Sequence, residues 1–190
     1  MIKKIVLTGG PCAGKTTLTQ VIAKVFHREV VVVPEAASLL FSGGFPRWQL
    51  PDAIEATQRA IYHVQSGLEA AYSAKYPDKI LVLDRGTIDG AAYWTKGPED
   101  FFLKLGTSLQ DELDRYDRVI YLESAAEQDY LANVKLNPNR NESWEEAHRL
   151  DILTEQLWSR HPRMSLVKNQ KSFGVKISEV LASISETIRG

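Results

Sequence analysis

The sequence predicts an α/β protein, a three-layer αβα sandwich around a parallel sheet. Four apolar runs rich in β-branched residues, at 3–9, 29–35, 79–86 and 117–124, show no polar alternation, the pattern of strands covered on both faces. A fifth and weaker run lies at 163–169. Segments with helical spacing of apolar residues lie between them, and this alternation of strand and helix argues for parallel pairing through crossovers.

The first strand, KKIVLTG, runs into a glycine-rich turn and the helical segment 14–28. The second, EVVVVPE, leads to an irregular stretch at 41–52 and then to a long helical segment at 52–76. A helical segment at 99–116 precedes the fourth strand. Ser143 with Glu146 forms a capping-box pattern that starts a helix over 143–161, with Ala147, Leu150, Leu153 and Leu157 as its apolar stripe and Pro162 as its stop. A second irregular stretch, 135–143, precedes that helix. At 190 residues and 44% hydrophobic composition the chain supports one substantial core, so a single domain over 1–190 is expected.

The turn carries the chemistry. Residues 9–16, GGPCAGKT, fit GxxxxGK[ST], the phosphate-binding loop, with Gly9, Gly14, Lys15 and Thr16 in the defining places. Glycines permit the tight loop, and its backbone amides cradle a phosphate. Lys15 reaches the outer phosphates, and the Thr16 hydroxyl can ligate Mg²⁺. A helix starting near Gly14 adds its positive N-terminal end. The expected nucleotide contacts are thus Gly9, Gly10, Pro11, Cys12, Ala13, Gly14, Lys15, Thr16 and Thr17. Cys12, the single cysteine, reads as a small loop residue and excludes an internal disulfide.

Ligands of open parallel sheets lie beyond the carboxyl ends of the strands, so the residues ending the other strands are the next candidates. Asp84 is placed to hold Mg²⁺. Arg85 follows it, where mechanochemical ATPases have a water-activating glutamate, and pairs with a phosphate or orients Glu35. Glu35 is a general base, a second Mg²⁺ ligand, or simply a carboxylate at a helix N-terminus. Arg140, between two asparagines, is expected to close over bound phosphates as part of a lid at about 135–143. Arg149 is expected to pair with Glu145. Asn169 meets the nucleobase or holds a turn.

A formal charge of −1, from 23 basic and 24 acidic residues, gives no field that would recruit nucleic acid, and basic residues are scattered. No run is long enough to span a bilayer and the first residues lack a signal peptide, so a cytoplasmic, non-integral protein is expected. Oligomeric state is not legible.

The combination of GGPCAGKTT, VPEAA, LDRGTIDGAAYW, RNESWEEAHRLD and LWSRHP followed by LVKN resembles the NadR-kinase-like branch of P-loop proteins, which includes the Trpl-translocation-defect-like proteins. The resemblance covers nearly the whole chain. It implies a P-loop kinase fold with strand order 2-3-1-4-5 and a lid. Carried onto this sequence, it implies nucleotide contacts from Gly9 to Thr17, a carboxylate at Glu35, the Asp84–Arg85 pair and the lid arginine Arg140. The activity expected is Mg²⁺-dependent transfer from ATP, or from GTP, to a small hydroxylated acceptor of nucleoside type. Trp48, Gln58, Tyr62 and Gln65 are expected to line its pocket, with Asp89 and Tyr93 on the other side. The alternative is a regulatory nucleotide switch without a small acceptor. No guanine-reading motif follows the fourth strand, and the Ser-Ala-Lys run at 73–75 lies in the wrong place for one.

Overall fold

The structure is a computed structural model that describes residues 2–10, 12–125, 127, 130, 143–169 and 172–190. Five strands form one parallel sheet in the order β2-β3-β1-β4-β5. They are β1 (Lys4–Gly9), β2 (Val30–Val33), β3 (Ile80–Asp84), β4 (Arg118–Leu122) and β5 (Met164–Val167). The central β1 pairs Leu7 with Asp84 on one side and with Ile120 on the other. This register brings the ends of β3 and β4 to the foot of the glycine-rich turn.

Successive side chains along a strand point to opposite faces. Val6, Leu81, Leu83, Val119 and Tyr121 therefore join one buried cluster, with Phe101, Tyr116 and Trp158. Ile5, Leu7, Val82, Ile120 and Leu122 join another, with Leu18, Ile22, Val180 and Ile184. Both faces are covered, which is why the strand sequences do not alternate. Full burial of each such side chain is worth about 1.5–3 kcal/mol.

The first cluster is closed by α3 (Pro51–Lys75), a 3₁₀ helix (Thr87–Tyr93), α4 (Pro98–Leu105), α5 (Leu109–Leu113) and α6 (Trp144–Trp158). The second is closed by α1 (Lys15–Val25) and α7 (Phe173–Arg189), and a short α2 (Ala36–Ser42) follows β2.

Three local expectations need correction. The segment 99–116 is two helices, because Gly106 caps α4 in the left-handed conformation (φ +70°) and Ser108 caps α5 by accepting from Asp111 N at 3.1 Å. The stretch at 41–52 is not irregular throughout, since α2 reaches Ser42 and Pro51 opens α3 at a position where its missing N–H costs nothing. Arg149 pairs with Glu146, at 2.8 and 3.1 Å, and not with Glu145. Ser143 caps α6 through Glu146 N, while the Glu146 carboxylate turns to Arg149 instead of back to the cap. α7 was not expected at all, although Phe173, Ile177, Val180, Ile184 and Ile188 give it a clear helical stripe.

Candidate functional site

The glycine-rich turn joins β1 directly to α1. Gly14 is the N-cap of α1 with φ +89°, and a methyl group there would meet the Phe173 ring at 2.6 Å, so backbone conformation and space both call for glycine. A side chain on Gly9 would overlap the Leu122 carbonyl, and one on Gly10 would overlap Ser124 and Asp151. The turn is therefore seated tightly on the end of β4 and on α6. Ala13 is buried, Thr16 and Thr17 are exposed, and Cys12 adopts φ +58°. Pro11 lies outside the described residues.

Lys15 Nζ donates to Gly9 O and Gly10 O, both at 2.7 Å, so the ammonium closes the turn on itself. The side chain keeps some contact with solvent, yet the loop packs closely around its ammonium. Burial, joined by the Arg85 guanidinium, pushes its pKa down to about 7 against the pull of Glu35, Asp84 and Asp89.

The carboxyl ends of β2 and β3 supply the facing groups. Arg85 Nε donates to Glu35 Oε1 at 2.7 Å, and Ser38 donates to the other Glu35 oxygen. Burial opposes ionisation of Glu35, but Arg85, Ser38 and Lys15 together hold its carboxyl below the usual range. Glu35 is the N-cap residue of α2 without a side-chain bond to the helix backbone; its carboxylate is shared between Arg85 and Ser38 of the first turn. The Asp84 carboxylate has no hydrogen-bond partner among the described residues. Burial first, then repulsion from Glu35, pushes it up to about 6. Thr16 Oγ1 likewise has no described partner. One hydroxyl and two carboxylates are hard oxygen donors, and Mg²⁺ keeps phosphates and water for its remaining positions, so Thr16, Asp84 and Glu35 fit that ion. Among the described residues no cluster of three or more His, Cys, Asp or Glu offers a separate metal site.

Arg85 occupies the left-handed region, with φ +69°. Its Nη1 donates to Asp89 Oδ1 at 2.9 Å. Asp89 is 5% exposed and also accepts from Thr8 Oγ1 at 2.5 Å, Gly86 N at 3.0 Å and Trp158 Nε1 at 3.2 Å. It belongs to this buried junction, not to the wall of an acceptor pocket. Sequence reasoning missed Trp158 and Thr8, for which no spacing signal exists, because their meeting depends on the sheet register.

Of the residues expected around the acceptor, the structure keeps Gln58 near this centre. Gln58 is buried, has no described hydrogen-bond partner, and its Oε1 would lie 3.1 Å from a methyl on Gly90 in the 3₁₀ helix. Trp48 is instead 63% exposed, on the surface with Gln49 and Leu50. Tyr62 donates to Glu112 at 2.7 Å, and Gln65 donates to Glu69 at 3.4 Å. Both belong to a buried polar network behind the site, in which Lys4 and Arg115 neutralise Glu69 and Thr87 bonds Glu112 and Tyr116. The Asn169 amide is committed at both ends, donating to Ser124 O and accepting from Lys176 Nζ at 3.0 Å, an arrangement that matches a held turn. Arg140 and residues 135–142 of the expected lid lie outside the described residues.

The profile of the AAA domain family matches residues 4–173. The chain belongs to the AAA domain family. Comparison with curated proteins gave no match. Among solved structures, the AAA-domain chain is similar to a deoxyadenosine kinase from M. mycoides with bound dATP, with TM-score 0.67, 16% identity, and coverage of 96% of this chain and 99% of that one. It is also similar to a structure of deoxyadenosine kinase from M. mycoides with the products dCMP and a flexible dCDP bound, with TM-score 0.62 and 15% identity over 96% and 99% of the two chains. At this identity the likeness shows the fold alone, a P-loop fold of the nucleoside-kinase type. Among the described residues no helix is long and apolar enough to cross a membrane.

Proposed function

We propose that this AAA-domain protein is a Mg²⁺-dependent kinase that transfers the γ-phosphoryl group of ATP to a hydroxyl of a small, nucleoside-type acceptor. The observation that carries this reading is the meeting of Glu35 and Arg85, at 2.7 Å, beside Asp84 and the phosphate loop. A carboxylate held ionised at neutral pH and oriented by an arginine is equipped to take the proton of an attacking hydroxyl. The finer likeness to the NadR-kinase-like branch rests on the sequence motifs and supports the same class of chemistry.

In this reading the acceptor oxygen forms a bond to Pγ as the bond from Pγ to the bridging oxygen of ADP breaks, and the hydroxyl proton passes to Glu35. Lys15 leaves the carbonyls of Gly9 and Gly10 for the β- and γ-phosphates. Arg85 presents positive charge where the transferring group gathers negative charge. Thr16 and Asp84, with Glu35 beside them, would hold Mg²⁺, which would supply further charge neutralisation of the phosphates. Gln58 is the group best placed to bond a polar edge of the acceptor.

The test incubates the protein with labelled ATP, Mg²⁺ and pooled nucleosides, sugars and vitamins, and looks for a new phosphorylated species. A product with wild type that Lys15→Ala does not make supports the proposal. No product from any pool, with nucleotide binding intact, overturns it.

A further inference from the structure

We propose that Asp89 is the positioning residue for Arg85: its carboxylate fixes the left-handed turn and the guanidinium, and joins both to β1 and α6. Arg85 is not a glycine, yet its φ of +69° places it in the left-handed region, which is strained for an L-residue. Such a conformation persists only where the surroundings over-determine it.

The surroundings here converge on one side chain. A carboxylate has about four acceptor sites, and four donors occupy those of Asp89. Thr8 Oγ1 and Arg85 Nη1 bind Oδ1, while Gly86 N and Trp158 Nε1 bind Oδ2. Capping the 3₁₀ helix requires only the bond to Gly86. The other three reach the residue before Gly9, the guanidinium beside Glu35, and the last residue of α6. With every site filled and 5% exposure, Asp89 has nothing left to offer a substrate, so its action passes through Arg85.

Trp158 reinforces the arrangement by packing. It is fully buried, and a methyl on Gly86 would lie 2.7 Å from its ring, so the indole lies directly on the turn that follows Arg85. The guanidinium then has two anchors, Nε on Glu35 and Nη1 on Asp89, which fix its plane. That Arg85 acts on a phosphate or acceptor rests on the proposed function; that Asp89 holds it does not.

The experiment uses the full chain, labelled with ¹³C and ¹⁵N, and measures rotation about the Arg85 Nε–Cζ bond by NMR, with Arg85→Lys identifying the signal by its loss. In wild type the rotation is slow. In Asp89→Asn, which keeps the size of the side chain, it speeds up by about ten- to hundredfold, the factor that corresponds to losing one charge-assisted hydrogen bond. In Trp158→Phe, which keeps an aromatic ring and removes the indole N–H, it speeds up by a smaller factor. Melting curves identify which variants fold, and if Asp89→Asn does not, Trp158→Phe decides. Wild-type rotation of Arg85 in folded Asp89→Asn, or in Trp158→Phe where Asp89→Asn does not fold, overturns the proposal and leaves Asp89 a purely structural cap. The readout needs no turnover, so a chain that phosphorylates no acceptor overturns the proposed function without touching this result.

Discussion

Arg85 Nε donates to Glu35 Oε1 at 2.7 Å, so the carboxylate after β2 and the left-handed residue after β3 form one unit across the sheet ends. If Glu35 is the general base, Glu35→Gln keeps the fold and ATP binding but lowers phosphoryl transfer by about 10²–10⁴. Single-turnover assays against calorimetric ATP binding check the separation. A mutant that transfers as fast as wild type removes Glu35 from the chemistry.

Lys15→Ala weakens ATP binding by about ten- to hundredfold and AMP binding far less, since the lysine addresses the outer phosphates. The wild-type interaction is also linked to protons. Without ligand the ammonium titrates at about 7, and phosphate anions raise that value. ATP binding therefore takes up a proton above pH 7, its affinity falls as pH rises through that region, and below it Lys15 is already charged. Calorimetry in buffers of different ionisation enthalpy measures the uptake, which Lys15→Ala abolishes.

Alkaline stability follows from three tyrosines. Burial, with the hydrogen bond to Glu112, pushes Tyr62 up to about 12. Burial, with Glu69 beside Tyr116 and Asp151 beside Tyr121, raises those two as well. The unfolded chain releases these protons near pH 10 and the folded chain at higher pH, Tyr62 at about 12, so stability falls as pH rises above about 10. Tyrosinate absorbance from these three residues appears together with unfolding. Their titration in a chain that is still folded, as judged by near-ultraviolet circular dichroism, contradicts this account.

Gly86 has an ordinary negative φ (−118°), and the atoms nearest to a side chain there belong to the Trp158 ring and Val6. Gly86→Ala destabilises by about 1–3 kcal/mol through overpacking. Because Trp158→Phe withdraws the clashing ring atoms, the double mutant loses less than the sum of the two single losses, by about 0.5 kcal/mol or more. Strict additivity in urea unfolding would show that Trp158 is not the obstacle.

Much of this architecture was legible because local patterns report it. Uninterrupted β-branched runs announced strands buried on both faces, and GGPCAGKT announced its loop through spacing alone. The breaks that escaped were decided by single residues: Gly106 divides α4 from α5, and Pro51 starts α3. The site was legible where residues end strands, as at Asp84 and Glu35, since strand ends converge in a parallel sheet. It was illegible where long-range register decides. Gln65 bonds Glu69 one turn along the same helix, a pair that spacing can show, but Tyr62 and Gln58 meet groups from other elements, Glu112 opposite Tyr62 and Gly90 opposite Gln58. Helical spacing cannot distinguish these neighbours.

The central place of β1 has a consequence for the order in which the chain assembles. The first strand in the sequence is the middle of the sheet, and its partners begin at residues 80 and 118. Contacts between distant parts of the chain must close a long loop before they are rewarded, which slows folding. The phosphate loop, seated on Leu122 and Ser124, has no floor until β4 docks. During refolding, affinity for nucleotide should therefore arise late and all at once, after helices such as α3 have already formed, and added ATP should retard unfolding more than it hastens the early steps of folding.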